Sequence, residues 1–371
     1  MIYLDNASTT KPSDAVKEAV INAIDDFGNP SSMHRLGITA EKIITEAKNN
    51  VASVLGVDGK NIYFTSGGTE ANNTAILGYA FANRKRGKHL ITTKIEHPSV
   101  LESFKTLEKE GFLVTYLDVD ETGVVSLEQL EKALSDDTIL VSIMAVNNET
   151  GAIQPIDKVK DIIKKNTSFC AFHSDCVQGF CKIDLKPKQW GIDMVSISGH
   201  KIHALKGIGA IYIADGVHIN PWLIGGGQQK NIRSGTENVP GIASLSVACK
   251  SYKRVSPDAW ENFKNKLSDA VDNIKINSIG KNSGYILNVS FRGIKAEILL
   301  HSLEAKGIYV STGSACSTNK PMPSHVLTAM GCTDEEIRGA VRFSFCSEDF
   351  DIDSVIDTIK NEVANIRKYV R

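Results

Sequence analysis

The sequence lacks the long apolar runs of membrane proteins, and it has almost no net charge. None of its apolar runs approaches the roughly 18 residues of a membrane-spanning helix. Its 42 lysines and arginines nearly balance 43 aspartates and glutamates, which gives a formal net charge of −1. This balance provides no general reason to expect binding to nucleic acid or to a lipid surface. A hydrophobic content of 42% is typical of an ordinary globular protein.

The sequence also lacks the features of a secreted, disulfide-bonded protein. Its first residues show no basic region followed by a long apolar segment. Seven cysteines are an odd number, and they are scattered along the chain. We therefore expect reduced thiols and a cytoplasmic protein. The spacing of Cys170, Cys176 and Cys181 does not match a zinc site, so we expect these thiols to pack in the interior and predict no metal.

Helical and strand-like segments alternate through the first 250 residues. Helical spacing of apolar residues is clear at 14–27 and 39–55, and a further helix follows the glycines at 67–68. Short apolar segments that predict strands lie at 61–65, 89–92, 113–117, 139–145, 169–175, 194–197 and 210–213, with helical patterns at 98–110, 127–134 and 156–165. This alternation predicts an α/β fold with a largely parallel sheet and helices on both faces. The strand at 210–213 follows its predecessor closely, so we expect one antiparallel pair.

The pattern changes after the apolar stretch at 239–252. From residue 256 we predict a helix to 274, a strand at 285–290, a helix at 295–306, strands at 308–310 and 340–345, and a closing helix at 351–369. This order is typical of a smaller α+β unit.

An aspartate and a lysine each follow a short apolar strand. Asp175 ends one predicted strand, and Lys201 follows the next within Ser198-Gly199-His200-Lys201. Pyridoxal 5'-phosphate (PLP) needs such a pair, because a lysine amine binds its aldehyde and a carboxylate keeps its ring nitrogen protonated. Most Lys/Asp pairs are surface residues, but the position of both at strand ends favours a cofactor site.

A glycine-rich turn offers a place for the cofactor phosphate. Gly67, Gly68 and Thr69 lie between a strand and a helix, where backbone N–H groups and the helix dipole favour an anion. Ser198 and His200 are further candidate donors. The alternative is an ordinary helix cap in which Thr69 binds the first turn.

Two other strand ends carry side chains suited to an aromatic cofactor. His97 could stack on a flat ring and carry protons, although a loop histidine without a role is the alternative. Asn147 could donate a hydrogen bond to a phenolate oxygen, although Asn-Asn-Glu-Thr-Gly would form a turn in any case.

An ordered series of motifs extends over nearly the whole chain. It comprises Tyr3 to Thr10, Gly28 to Ser32, Phe64 to Glu70, Glu96-His97, Val146 to Glu149, Asp175 with Gln178, Ser198 to Lys201, Arg233 to Thr236, Ser314 to Cys316 and Val341 to Ser344. Each motif is weak alone, but the ordered series is specific. The sequence resembles cysteine desulfurases of the NifS/IscS type, which are class V aminotransferase-like PLP enzymes of fold type I.

The resemblance implies a domain division and a role for each site residue. It implies a large PLP-binding domain at 12–252 and a small α+β domain from 1–11 and 253–371. It implies that Lys201 binds PLP covalently, and that the remaining cofactor contacts come from Gly68, Thr69, His97, Asn147, Asp175, Gln178, Ser198 and His200. Thr236 would reach the PLP phosphate of the neighbouring subunit in a homodimer. Arg342 would bind the substrate carboxylate, assisted by Asn147, because a guanidinium fork suits a carboxylate.

Cys316 distinguishes among the reactions that PLP supports. It lies in a polar segment rich in glycine and proline, between a strand and a helix, where a thiol would be exposed and mobile. By resemblance, Cys316 takes sulfur from L-cysteine as a persulfide, L-alanine leaves, and His97 carries protons. The sulfur would then pass to an acceptor protein, such as an iron–sulfur scaffold or a thiolation enzyme.

Other functions fit parts of the same pattern. A selenocysteine lyase or cysteine-sulfinate desulfinase could release its product without an essential thiol. In a true class V aminotransferase, Cys316 would be incidental. A non-catalytic paralogue would have no need of Lys201, Asp175, Arg342 and Cys316 together, which argues against it.

Overall fold

Strands and helices alternate along the chain, whose computed structural model describes residues 1–167, 169–312, 323–346 and 350–369. The strands are β1 (Ile2–Tyr3), β2 (Ile62–Thr65), β3 (His89–Thr93), β4 (Leu113–Leu117), β5 (Thr138–Ser142), β6 (Ala171–Asp175), β7 (Met194–Ser198), β8 (Gly209–Ile213), β9 (Ile274–Ile276), β10 (Ile286–Phe291), β11 (Ile308–Tyr309), β12 (Ser311–Thr312) and β13 (Ala340–Ser344). The α-helices are α1 (Asp14–Asp25), α2 (Arg35–Leu55), α3 (Gly68–Asn83), α4 (Pro98–Lys109), α5 (Leu127–Ala133), α6 (Ile156–Asn166), α7 (Pro187–Trp190), α8 (Val239–Ser251), α9 (Pro257–Ala270), α10 (Ala296–Glu304), α11 (His325–Ala329), α12 (Asp334–Arg338) and α13 (Ile352–Tyr369).

A seven-stranded sheet organises the first two thirds of the chain. Its strand order is β2-β8-β7-β6-β5-β3-β4, and β4, β3, β5, β6 and β7 run parallel. β8 runs antiparallel to β7, as predicted, and also to β2. Separate apolar cores on the two faces include residues of α2, α6 and α8 on one side and of α3 and α4 on the other. The predicted α/β fold with a mainly parallel sheet is confirmed.

The parallel strands bring the ends that carry functional residues to one edge of the sheet. β6 ends at Asp175 and β7 at Ser198, and the chain continues from β7 into the 3-10 turn Gly199–Lys201. In sheets of this kind ligands bind beyond the carboxyl ends of the strands. The topology alone therefore places the predicted cofactor residues together.

The last third of the chain builds a second, smaller sheet. Its order is β12-β13-β10-β9, and all its pairs are antiparallel. Its core packs aromatic residues of this region, including Phe263, Phe291 and Phe343, against α10 and α13. Leu4 belongs to the same core, and β1 pairs with β11. These contacts favour grouping residues 1–11 with 253–371, and the domain division stays a prediction.

The structure differs from the expected elements mainly in the smaller unit. The helix expected to reach residue 274 ends at Ala270, because Asn273 adopts a left-handed φ of 52° and β9 follows at once. The single strand expected at 308–310 is divided into β11 and β12, which pair with different sheets. The helix expected after the Cys316 segment is α11, whereas α12 was not predicted, although the capping box of Thr333 and Glu336 marks its start.

Neither a membrane-spanning helix nor a metal cluster occurs in the part of the chain that the structure describes. Its helices are too short or too polar to cross a bilayer. Its histidines, cysteines and acidic residues form no group that could hold a metal ion.

Candidate active site

A cavity of about 250 Å³ opens at the carboxyl edge of the large sheet. Its lining joins residues that are far apart in the sequence. They are Ala7, Ser8, Gly68, Thr69, Asn72, His97, Ser99, Met144, Val146, Asn148, Asp175, Val177, Gln178, Ser198, His200, Lys201 and Arg342. Most of the predicted site residues are therefore brought together.

Asp175 and Lys201 line the same cavity from the ends of neighbouring strands. The Asp175 side chain is buried; its Oδ2 accepts a hydrogen bond from Asn72 Nδ2 at 2.7 Å and its Oδ1 accepts one from the Val177 N–H at 2.9 Å. These bonds fix the carboxylate where a cationic ligand N–H could reach it. The Lys201 Nζ donates to the carbonyl oxygens of Ala7 and Ser8, both at 2.6 Å.

The N-terminus of α3 also borders the cavity. Gly67 is the N-cap residue of α3, and no side chain of the described residues caps the helix there, so Thr69 does not act as the cap. A side chain at Gly68 would collide with Val177, because a Cβ atom would lie 2.7 Å from Val177 Cγ2. The first-turn N–H groups thus remain available to an anion, and the helix dipole favours negative charge.

Hydroxyl and imidazole groups of Thr69, Ser198 and His200 line the cavity beside that helix end. Burial, with the nearby charge of Lys201, lowers the pKa of His200 to about 4. His200 is therefore neutral at neutral pH and can act as a hydrogen-bonding group without carrying charge. The donor set suits a phosphate held mainly by N–H and O–H groups.

His97 forms the N-cap of α4 and is held in one orientation. Its Nδ1 accepts a hydrogen bond from the Ser99 N–H at 3.1 Å and lies 2.8 Å from Ser99 Oγ. Because Nδ1 accepts, the neutral ring carries its proton on Nε2. Burial lowers the pKa of His97, which favours that neutral form.

Arg342 on β13 is a buried cation in the cavity wall. Its Nη1 donates to the Asn148 carbonyl at 2.8 Å, and its Nη2 donates to Asp5 Oδ1 at 2.8 Å and to Ser8 Oγ at 2.6 Å. Its Nε is buried without a hydrogen-bond partner among the described residues. A guanidinium held in this way in the cavity wall suits a planar carboxylate ligand.

The structure places the Asn147 side chain within its own turn. Its Oδ1 accepts hydrogen bonds from the Glu149 and Thr150 N–H groups, and its Nδ2 donates to the Ile95 carbonyl at 3.0 Å. This side chain therefore builds the turn and does not line the cavity. Its neighbour Asn148 lines the cavity instead.

The remaining predicted residues take different positions. Gln178 lines the cavity, and its Nε2 donates to the Ala7 carbonyl at 2.8 Å. Thr236 is exposed and lies outside the cavity lining. Cys316 lies outside the described residues. Cys170 and Cys176 are buried, and burial raises the pKa of each thiol to about 12, which fits the expected packing role.

Several residues of the site were missed in the sequence. Asn72 supports Asp175, Ser99 orients His97, and the carbonyls of Ala7 and Ser8 hold Lys201. Asn72 carried a readable signal, because it lies three positions after Thr69 and thus on the same helix face. The carbonyl contacts carried none, since every residue has a carbonyl.

Comparisons with known proteins agree with this geometry. Residues 2–353 match the class V aminotransferase family. A cysteine desulfurase IscS of Methanosarcina thermophila is 43% identical over 99% of this chain and 93% of its own length. A solved NifS-like protein is 38% identical, with a TM-score of 0.89 and 99% of each chain covered. A structure of SspA in complex with cysteine is 34% identical, with a TM-score of 0.85, over 93% of this chain and 99% of the other.

The chain therefore belongs to the class V aminotransferase family, whose members related to it are PLP enzymes. Within this family it is an enzyme of the cysteine desulfurase group, which removes sulfur from L-cysteine.

Proposed function

We propose that this cavity holds PLP and L-cysteine, and that the sulfur leaves as a persulfide on Cys316. The observation that carries the proposal is that Asp175, Lys201 and the uncapped start of α3 border one cavity. These three features meet the three demands of the cofactor: a carboxylate for its ring N–H, an amine for its aldehyde and donors for its phosphate.

The residues present fit the cofactor as a set. Asp175 would pair with the ring nitrogen, Lys201 would bind covalently, and His97 would lie against the ring. Gly68, Thr69, Ser198 and His200 would hold the phosphate, and Gln178 and Asn148 are the amides available to its ring oxygen and to the substrate. When bound, PLP supplies an electron sink for the charge that develops at Cα of the substrate.

The protein groups bind the substrate and move its protons. Arg342 would pair with the substrate carboxylate through its guanidinium, which Asp5 and Ser8 hold in place. The Lys201 amine would take the Cα proton, and the Ala7 and Ser8 carbonyls would accept hydrogen bonds from the resulting ammonium. The Cys316 thiolate would attack the substrate sulfur, so that an S–S bond forms and the C–S bond breaks. The electron pair of the broken bond stays with the carbon, which takes up a proton carried by His97, and L-alanine is released.

The role of Arg342 can be tested with Arg342→Lys. A lysine keeps the positive charge but loses the planar, two-pronged guanidinium and its Nε–H. Losing a charge-assisted hydrogen bond of about 2.7 kcal/mol corresponds to a roughly 100-fold decrease in kcat/KM. We expect kcat/KM for L-cysteine to fall about 100-fold, mainly through KM, when alanine release is measured. Arg338→Lys, at an exposed position on α12, is the matched control. An unchanged KM in Arg342→Lys would contradict the assignment.

We also propose a homodimer in which Thr236 reaches the partner's cavity. The support is an apolar loop beside Thr236: Trp222 is 53% exposed and Ile224 is 82% exposed. The Ser234 N–H donates to the Leu223 carbonyl at 3.1 Å, which ties this loop to the segment that carries Thr236. Large exposed apolar side chains beside a functional segment are typical of an interface.

The dimer predicts a mass in sedimentation of twice that of one chain. Ile224→Asp should shift the equilibrium towards the monomer and weaken PLP binding, because the partner's Thr236 is lost with the interface. Asn231→Asp, which adds one negative charge at an exposed position on the following turn, serves as the control for added charge alone. A wild-type holoenzyme that sediments as a single chain would refute this assembly.

We further propose that the enzyme works in the cytoplasm and passes its sulfur to an acceptor protein, such as an iron–sulfur scaffold or a thiolation enzyme. Cys170, Cys176 and Cys181 are free, buried thiols, which suits a reducing compartment. Recovery of the protein from a secreted or membrane fraction would contradict this location.

A further inference from the structure

We propose that Lys182, which lies outside the cavity, is a positioning residue that holds the Gln178 amide with its N–H groups towards the cavity. The inference rests on the proposed function, in which Gln178 contacts the ring oxygen of PLP. No step of that function uses Lys182.

Lys182 is a buried amine directed at Gln178. Its residue is 9% exposed, and its Nζ donates to Gln178 Oε1 at 3.0 Å. The same Nζ lies 4.6 Å from the centre of the Tyr285 ring, and the Tyr285 hydroxyl donates to the Gln178 carbonyl. Burying a lysine costs free energy unless its amine is paired, and here the contacts with Gln178 and Tyr285 offset that cost.

The hydrogen bonds of Gln178 define the orientation of its side-chain amide. Oε1 accepts from Lys182, and Nε2 donates to the Ala7 carbonyl at 2.8 Å. The Ala7 carbonyl also accepts from Lys201 Nζ at 2.6 Å. A flipped amide would set Oε1 against the Ala7 carbonyl, two acceptors in contact, and would turn Nε2 towards the Lys182 amine. The chain of contacts therefore runs from Lys182 through Gln178 and Ala7 to Lys201.

The orientation matters because Nε2 carries a second N–H. Since Gln178 lines the cavity, that N–H is the group available to a ligand oxygen. An N–H donor stabilises an anionic oxygen more than a neutral hydroxyl, and an amide oxygen in its place would do the reverse. Lys182 thus favours an ionised ring oxygen on the cofactor without touching it.

The hydrogen bond from Lys182 to Gln178 Oε1 persists across neutral pH. Burial, with the neighbouring Lys201 charge, lowers the pKa of Lys182 to about 7. Arg342, Cys181, Cys346, Tyr285 and His200 are the other charged or titratable groups near it. The amine can donate to Oε1 in either protonation state.

The test is the absorbance spectrum of the holoenzyme as a function of pH, measured for Lys182→Met. Methionine fills a similar volume but cannot donate. We expect the apparent pKa of the cofactor band to rise by about one unit, and kcat for L-cysteine to fall about tenfold with KM within about twofold, the effect of losing one hydrogen bond to a charged group. Lys182→Arg retains a donor and should restore values close to the wild type.

Two controls separate positioning from loss of stability. Lys160 is a half-buried lysine at the opposite end of β6, and its Nζ donates to Asp193 Oδ2 at 2.5 Å and to the Cys170 carbonyl. Lys160→Met should lower the Tm as Lys182→Met does, without moving the cofactor pKa. In a Gln178→Leu background, Lys182→Met should have no further effect on the cofactor pKa, because the amide through which Lys182 acts is absent.

The inference is overturned if Lys182→Met leaves the cofactor pKa unchanged, if Lys160→Met shifts it equally, or if the shift persists in Gln178→Leu. A wild-type protein that shows no cofactor band after loading with PLP would instead refute the proposed function itself. The two failures are therefore distinguishable.

Discussion

Replacing Lys201 by alanine is expected to abolish cysteine turnover and the visible absorbance band of the covalently bound cofactor. Lys201 lines the same cavity as Asp175, and its Nζ donates to the Ala7 and Ser8 carbonyls. Its loss removes both the covalent attachment of PLP and the base for the Cα proton, so activity should fall by at least about 10⁴-fold, the combined scale of nucleophilic and general-base contributions. Absorbance spectra and alanine release measure the two effects separately.

The control for this variant is Lys206→Ala, which removes an exposed lysine a few residues further along the same loop. It should retain the band and the wild-type rate. Thermal unfolding of the cofactor-free proteins should show that Lys201→Ala is folded. A Lys201→Ala protein that still releases alanine from cysteine at the wild-type rate would eliminate Lys201 as the catalytic lysine.

Cys316→Ser is expected to bind PLP and L-cysteine normally and to form no persulfide. A serine hydroxyl is not ionised at neutral pH and cannot form the S–S bond that stores the sulfur, whereas a cysteine thiol can. We expect alanine release to fall by at least about 10³-fold, the scale of losing an activated nucleophile. Mass spectrometry of the protein after a single turnover detects the added sulfur in the wild type.

Cys332→Ser provides the control, since Cys332 is a half-buried thiol 16 residues after Cys316 in the sequence. Labelled sulfur should pass from the wild type and from Cys332→Ser to an acceptor protein, but not from Cys316→Ser. Release of sulfide by Cys316→Ser at the wild-type rate would assign the chain to the lyase or desulfinase type of reaction. Dependence of alanine formation on an added 2-oxo acid would indicate an aminotransferase.

The large sheet could be predicted because its strands are buried on both faces. Such strands appear in sequence as short apolar runs that end abruptly in polar residues. The ends of β6 and β7 are therefore visible as Asp175 and Ser198, and parallel topology then brings them together. In the smaller unit, β11 and β12 have only two residues each, which is too short for a recognisable sequence pattern. Their bounds depend on which strands they pair with in the folded chain.

Within the site, the sequence could indicate residue types but not which of two neighbours is used. Asn147 and Asn148 have the same side chain. Only the structure shows that the side-chain oxygen of Asn147 is already hydrogen-bonded to the backbone of its own turn. Asn72 and Lys182 act through other side chains, Asp175 and Gln178, whose positions depend on the assembled fold. Contacts of this kind follow from tertiary structure, which no local pattern encodes.

The bond between Arg342 and Asp5 joins positions that are 337 residues apart. Ser344 likewise accepts the N–H of Ala7 through its hydroxyl, so the early and late segments of the chain close the cavity together. During synthesis on the ribosome, the carboxylate-binding half of the site cannot exist until residue 342 has left the exit tunnel. Under the proposed function, a nascent chain that still lacks Arg342 can neither bind its substrate nor release reactive sulfur.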